Sequence, residues 1–197
     1  MTNSPNPDSE SLSRNQVLIF MGVTAVILLA IAKLSLYVTG VGLIPVKFDR
    51  SSLFIALGLA AGISSASGLL YRLWPTYRQS ADSYLQLVID PLAWPDLLWV
   101  GLLPGLSEEL LFRGVMLPIL GLNMQGLIIS SVIFGSLHFS GRKQWPYVIW
   151  ATIVGFGLGY TALTTNNLLI PIIAHTITNI VSSCVWKFKH SLSSPTA

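Results

Sequence analysis

Five ionisable residues and one amide of this 197-residue chain lie in strongly apolar stretches. A charged side chain at the middle of a bilayer costs about 2.5–3.5 kcal/mol on insertion scales, so such groups normally face one another or a water-filled cavity. A carboxylate that accepts a proton from water, with imidazole and amide groups that bind the oxyanion, can hydrolyse an amide bond. The pattern therefore predicts a shared polar cavity suited to that chemistry. The residues are Glu108, Glu109, Arg113, His138, His175 and Asn179.

Helical spacing predicts different roles for the two adjacent glutamates. Glu109 and Arg113 are at i and i+4, so they lie on one helix face and can neutralise each other. Glu108 points about 100° around the same helix and keeps no such partner. His175 and Asn179 have the same spacing, which directs an imidazole and a carboxamide to one place. We therefore expect Glu108 to be the general base, and His175 and Asn179 to bind the oxyanion.

A second imidazole, that of His138, could orient the attacking water. Glu108, His138 and His175 could instead bind zinc, because three protein ligands and a water are the usual catalytic zinc set. The sequence leaves both routes open, so the cofactor is unknown: either no metal is required, or zinc is used. A cysteine-based metal site and an internal disulfide are excluded, since Cys184 is the single cysteine.

The composition is typical of a membrane protein. Charged residues make up 10% of the chain, apolar residues make up 52%, and the mean hydropathy is +0.67. Soluble domains carry about 25% charged residues, so a water-facing surface cannot be built from this sequence. The net charge is only +3, with no run of basic residues, which argues against a nucleic-acid partner.

We predict an all-α fold, a polytopic transmembrane helix bundle with about six spans. The candidate spans are residues 16–39, 51–74, 92–120, 122–140, 145–165 and 167–186. The third is too long for one straight crossing of a bilayer core of about 30 Å, and its three prolines predict a break or an interfacial entry segment within it. Residues 1–15 are expected to form a disordered polar tail and residues 191–197 a second polar tail, around one domain of residues 16–190.

Basic residues near the span ends predict the orientation, because Lys and Arg are retained on the cytoplasmic side. With six crossings, one side receives only Lys47 and Arg50. The other side receives Arg14, Arg72, Arg78, Arg142, Lys143, Lys187 and Lys189. We therefore expect an integral protein of the plasma membrane with both termini in the cytoplasm.

Two further groups of residues carry structural expectations. Eight aromatic residues lie near predicted span ends, where such side chains prefer the headgroup level: Trp74, Tyr77, Tyr84, Trp94, Trp99, Trp145, Tyr147 and Trp186. Gly155, Gly157 and Gly159 lie within an apolar span and are expected to let helices approach closely.

Three motifs resemble those of a known family. Residues 108–113 match EExxxR and are followed by Gly114, residues 134–138 match FxxxH and residues 175–179 match HxxxN, in that order and each in an apolar segment. The combination resembles the type II CAAX prenyl endopeptidases and their bacterial relatives, the CPBP or Abi family of intramembrane proteases. It covers residues 92–179, nearly half of the chain.

The resemblance implies a role for each motif residue. Family members have been described both as metalloproteases and as metal-independent glutamate proteases. Eukaryotic members remove the last three residues of prenylated CAAX proteins, and many bacterial members are linked to bacteriocin processing or immunity. The implied roles are a catalytic glutamate at Glu108, a supporting pair of Glu109 and Arg113, water activation by His138, and an oxyanion site of His175 and Asn179.

We therefore predict an intramembrane peptidase that uses glutamate-activated water. Its expected partners are the lipid bilayer and a membrane-associated protein or peptide substrate, with prenylated CAAX-type proteins as one candidate class. The alternative is a non-catalytic membrane adaptor, immunity or scaffold protein of the same fold, whose polar cluster serves helix packing. A proton-coupled carrier is a third interpretation, because carboxylate and histidine clusters also build proton relays.

Overall fold

The computed structural model describes residues 12–193, which fold as a helix bundle without a strand. Single-turn 3₁₀ helices at Trp94–Asp96 and Arg142–Gln144 precede the fourth and seventh of the α-helices. The predicted all-α fold is confirmed. The helices are α1 (Arg14–Thr39), α2 (Arg50–Leu73), α3 (Pro75–Ile89), α4 (Leu97–Glu109), α5 (Leu117–Leu120), α6 (Met124–Ser136), α7 (Trp145–Thr165) and α8 (Leu169–Ser193).

A π-helical segment, Leu110–Met116, joins α4 to α5 and contains Arg113 of the EExxxR motif, whose two glutamates end α4. The N–H of Leu117 donates to the carbonyl of Phe112, five residues back, as this wider helix requires. Pro118 has no N–H to donate to the carbonyl of Gly114, which instead accepts from the N–H of Ile44 at 3.4 Å. The irregularity expected in the third segment is therefore a local widening of the helix, a feature frequent at functional sites.

Within residues 12–193, four helices are long and apolar enough to cross a membrane, and they correspond to α1, α2, α7 and α8. A fifth candidate is the pair Pro75–Ile89 and Trp94–Leu120, which is bent by 110° at the break between its members. The sequence predicts about six spans; the difference lies partly in α6, the counterpart of predicted span 122–140. This helix has 13 residues and reaches only about 20 Å.

Both described ends of the chain lie at the same end of the bundle. The beginning of α1, the end of α3 and the end of α8 meet there in one apolar cluster of Val17, Ile89, Leu92, Leu97 and Trp186. At the opposite end, the N–H of Leu168 before α8 donates to the carbonyl of Pro45 in the α1–α2 loop, at 2.9 Å. Helices α2 and α8 therefore run in the same direction, opposite to that of α1.

Glycines bring the site-bearing helices close together. On α4, a Cβ at Gly101 would collide with Ile180 of α8, and a Cβ at Gly105 would collide with Thr176. On α7, Gly155 and Gly159 face α6 in the same way, as predicted, whereas a Cβ at Gly157 would meet nothing within 4 Å. Close packing of α4 on α8 sets the distance across the candidate site.

The first and last helices begin and end close to the predicted domain boundaries. Helix α1 begins at Arg14, where Ser13 is the N-cap and its hydroxyl accepts from the N–H of Gln16 at 3.3 Å. Helix α8 continues to Ser193, beyond the expected boundary at residue 190. Residues 1–11 of the predicted N-terminal tail and residues 194–197 of the C-terminal one lie outside the described part.

Candidate active site

Glu109 connects α4 to α8 through a buried network. Its Oε1 lies 2.7 Å from Nη1 of Arg113 and 2.7 Å from Nδ1 of His175. The exposed fraction is 0% for Glu109 and 1% for Arg113, so the predicted ion pair is formed and excludes water. Because a carboxylate oxygen only accepts hydrogen bonds, the Nδ1 of His175 carries a hydrogen and donates a hydrogen bond to Glu109. In the neutral imidazole, Nε2 is then an acceptor.

Arg113 extends this network to two more helices. Its Nη2 donates to the carbonyl of Gly155 on α7 at 2.8 Å. Its guanidinium carbon lies 4.3 Å from the ring centroid of Phe134 on α6, a cation–π contact that can contribute about 2 kcal/mol when desolvated. A Cβ at Gly155 would come within 2.8 Å of Phe134 and 3.0 Å of Arg113. The absence of a side chain at Gly155 therefore makes room for the arginine.

Glu108 lies beside the network and lines a cavity of about 260 Å³. Residues of α1, α3, α4 and α8 enclose most of this first cavity, and His138, His175 and Asn179 line it as well. The Oε2 of Glu108 is buried and has no hydrogen-bond partner in the described part of the chain. Since buried polar atoms are normally paired, an unpaired carboxylate oxygen at a cavity is a candidate for function.

A second cavity, of about 400 Å³, adjoins the first. It lies among α2, α3, α7 and α8, and much of its wall is aromatic or aliphatic. The polar residues that line both cavities include two of the predicted site histidines and the predicted amide. The residues common to both are Leu85, His138, Tyr147, His175, Asn179 and Ser182. We call this shared wall the junction.

The side chains of His138 and Asn179 are available at the junction. The Nδ1 of His138 lies 3.0 Å from the carbonyl oxygen of Phe134, which only accepts, so Nδ1 carries the proton. Its Nε2 is left as an acceptor in the neutral ring. The carboxamide of Asn179, one turn after His175 on α8, makes no hydrogen bond to any residue of 12–193 and keeps its N–H donors free.

The suggested zinc ligands do not form a metal site in this arrangement. Among residues 12–193, no three His, Cys, Asp or Glu side chains are grouped so that they could hold a metal ion. The set of Glu108, His138 and His175 therefore does not fit zinc. We derive no catalytic step through a metal.

Sequence reasoning missed Tyr84 and Tyr147, which it placed at the headgroup level. Both line the first cavity together with Glu108. Their rings stack with centroids 4.8 Å apart, and the ring of Tyr147 lies 5.9 Å from that of His138. The two tyrosines belong to α3 and α7, outside the three motifs, so only the packing of these helices identifies them.

Residues 90–181 match the family model described as type II CAAX prenyl endopeptidase Rce1-like. This segment is similar to the Rce1-like family. The match includes all six predicted site residues, and the family is one of membrane proteases. With its long apolar helices, the chain is an integral membrane protein.

A bacterial protein is also similar to most of the chain. The uncharacterized protein YpbD of Bacillus subtilis (strain 168) is 28% identical over 142 residues, which cover 72% of this chain and 72% of YpbD. No solved structure matches the chain. The comparisons thus indicate similarity to a family of membrane proteases, and the roles of individual residues are argued from the geometry of the site.

Proposed function

We propose that this chain is an intramembrane peptidase in which Glu108 activates water to hydrolyse a peptide bond of a membrane-associated substrate. The observation that carries the proposal is the unpartnered Oε2 of Glu108 beside a cavity that also holds two imidazoles and a free amide. Glu109, by contrast, lines neither cavity and binds Arg113 and His175. Access therefore favours Glu108 over its neighbour as the base.

In the proposed reaction, His138 orients a water molecule by accepting a hydrogen bond at Nε2. The water oxygen bonds to the carbonyl carbon, Glu108 takes a water proton, and the carbonyl π electrons move to oxygen. Asn179 donates to this oxyanion, and His175 can add a second donor only when both of its nitrogens are protonated. The C–N bond then breaks, and Glu108 returns the proton to the amine nitrogen, so the products are a carboxylic acid and an amine.

The second cavity supports a proposal for the substrate class. Its volume of about 400 Å³ and its apolar lining suit an apolar portion of a substrate whose scissile bond lies at the junction. We propose a membrane-associated protein or peptide as substrate, with prenylated CAAX-type proteins as the candidate class to test first.

The proposed orientation places both termini in the cytoplasm and the protein in the plasma membrane. Several of the predicted cytoplasmic basic residues gather at the end of the bundle where α1 begins. Arg14 pairs with Asp96 at 2.6 Å, Lys187 donates to the carbonyl of Ile89, and Lys189 lies 4.7 Å from the ring of Tyr71. This distribution supports the cytoplasmic assignment of that end.

The test uses purified protein and a panel of fluorogenic peptides with and without a C-terminal isoprenyl cysteine. Glu108→Gln should lower kcat by about 10²–10⁴-fold, the usual contribution of a general base. Asp90→Asn is the matched control, since Asp90 is an exposed carboxylate outside both cavities, and it should cleave like the wild type. Inhibition by a chelator that added zinc reverses would overturn the metal-free route.

A non-catalytic adaptor or scaffold is the second candidate function. The observation that favours it is the network of Glu109, Arg113 and His175, which ties helices together as a packing role requires. This alternative predicts that Glu108→Gln cells are indistinguishable from wild-type cells. Comparison of membrane-protein fragments in the two strains by mass spectrometry separates the candidates, because only a peptidase leaves products that disappear in the variant.

A further inference from the structure

We propose that the phenol hydroxyl of Tyr147 is a catalytic hydrogen-bond donor that, with Asn179, binds the oxyanion at the junction of the two cavities. The inference rests on the proposed function, because it assigns a further residue to the same reaction. It gives a role to α7, which contributes none of the three sequence motifs to the site.

Tyr147 is identified by asking which side chains at the junction have hydrogen-bond donors that are not already used. Five polar side chains line both cavities. In three of them, with the histidines neutral, every hydrogen-bond donor is already engaged. The Nδ1 protons of His138 and His175 are engaged by the Phe134 carbonyl and by Glu109, and the Ser182 hydroxyl donates to the backbone carbonyl of Asn179 at 3.1 Å. Among the described residues of the junction, Tyr147 and Asn179 therefore hold the remaining free donors.

The ring of Tyr147 is held on several sides. It stacks on Tyr84 with centroids 4.8 Å apart and on Tyr77 at 6.5 Å, and the imidazole of His138 lies at 5.9 Å. Its position in the first turn of α7 is set by Pro146, a buried proline at the helix start. A donor whose ring is fixed before the substrate binds needs little reorganisation when negative charge develops, and this is the condition for effective oxyanion binding.

The other tyrosines that line a cavity either have an engaged hydroxyl or border only one of the two cavities. The hydroxyl of Tyr71 lies 2.8 Å from Asp82, so its proton is already engaged. Tyr77 lines the second cavity but not the first, and Tyr84 lines the first but not the second. Tyr147 is the tyrosine that borders both, where a scissile carbonyl between the two cavities would lie.

The experiment compares Tyr147→Phe with the wild type on the best peptide of the panel. The variant keeps the stacked ring and loses only the O–H, so we expect kcat to fall by about 10²–10³-fold, the range for one lost oxyanion donor, while KM changes less than about twofold. A peptidyl phosphonate of the same sequence, which mimics the tetrahedral intermediate, should bind more weakly by the factor lost in kcat/KM.

Tyr160→Phe is the matched control, because Tyr160 lies on the same helix, is 47% exposed and lines neither cavity. It should leave kcat, KM and phosphonate binding unchanged. A packing role for Tyr147 would instead lower the melting temperature or raise KM, with kcat retained, and that result would overturn the inference.

Failure of this inference is distinguishable from failure of the proposed function. An inactive Glu108→Gln beside a fully active Tyr147→Phe would reject the tyrosine and keep the glutamate mechanism. A fully active Glu108→Gln would reject the glutamate mechanism and the role of Tyr147 in it.

Discussion

The two adjacent glutamates at the end of α4 lie on two sides that differ in how their polar groups are used. We call the side of Glu109 the network side and the side of Glu108 the cavity side. On the network side, Glu109 holds Arg113 and His175, and none of the three atoms involved is left for a substrate. Oε2 is without a hydrogen-bond partner in both glutamates, but only Glu108 lines a cavity, where Asn179 also has free amide donors. Polar groups in an apolar protein interior are costly, so the comparison separates those that fix geometry from those available for chemistry.

The network side is suited to setting positions. A buried ion pair is weak evidence for net stability, because desolvation offsets most of the attraction between its charges. Removing one partner is nevertheless strongly destabilising, since a buried charge is left alone. The network of Glu109, Arg113 and His175 therefore holds α4 and α8 in one relative position, and Gly155 adds α7.

The largest expected effect is on activity and comes from the cavity side. Glu108→Gln should remove about 10²–10⁴-fold of kcat and leave the melting temperature, followed by tryptophan fluorescence, close to that of the wild type. The reason is that Glu108 Oε2 has no partner to lose. A fall of several degrees in melting temperature would contradict the distinction between the two sides.

The next effect is on stability and comes from the network side. Arg113→Met leaves the carboxylate of Glu109 buried with only His175 as a partner, so it should lower the free energy of unfolding by about 3–5 kcal/mol. Titration with SDS in mixed micelles measures the loss. Adding Glu109→Gln removes the orphaned charge and should recover part of the stability; strictly additive losses in this double-mutant cycle would argue against a coupled pair.

The extent to which sequence predicts this site depends on how far apart the partners lie in the chain. Glu109 and Arg113 are one helical turn apart, so the 3.6-residue period alone predicts their pairing. The contact of Glu109 with His175 joins residues 66 positions apart and depends on how α8 packs on α4. Periodicity says which face of each helix is polar, but not which faces meet.

The form of the backbone irregularities, like the contacts between distant residues, is not predictable from the sequence pattern. Three prolines in residues 92–120 predict a disturbance, but not that it takes the form of a π-helical turn at Leu110–Met116. Tyr147 lies near a predicted span end, so sequence alone assigns it to the headgroup level, as for other aromatic residues. Its contact with Tyr84 depends on how α3 packs on α7, next to the bend of 110° that follows α3. The fold class follows from composition, whereas the junction follows from tertiary packing.

Two asparagines extend the comparison to amide side chains. Asn167 has all its hydrogen-bonding capacity satisfied: it binds the backbone of Lys47 in both directions, the N–H of Leu169 and the hydroxyl of Ser52. Asn167→Ala should therefore lower the free energy of unfolding by about 1–3 kcal/mol, because buried backbone groups lose their partners. Asn179 has no such bonds, so Asn179→Ala should affect kcat and not stability.

A neighbouring residue supplies the control for Asn167. Asn166 is exposed and has a φ of 47°, a left-handed conformation that glycine adopts without strain, so Asn166→Gly should change unfolding little. SDS titration of the three variants tests the comparison. Equal losses for Asn167→Ala and Asn179→Ala would show that the two amides are not used differently.

The smallest expected effect concerns Asp49, a carboxylate outside the spans that serves structure alone. It is the N-cap of α2 and accepts hydrogen bonds from the hydroxyl of Ser51 and from the hydroxyl and N–H of Ser52, and these lower its pKa to about 2. Because the folded pKa is below the usual value of about 3.9, its stabilising contribution is present above that value and is lost as pH falls toward about 2.

Asp49→Asn isolates this contribution, because asparagine is also a good N-cap but carries no titrating charge. The melting temperature of the wild type minus that of the variant should be largest near about pH 6 and should shrink as the pH falls from about 4 to about 2. The change is expected to be small, since Asp49 is exposed to solvent, which weakens its interactions. A difference that stays constant over this range would mean that the hydrogen bonds from Ser51 and Ser52 do not favour the ionised form.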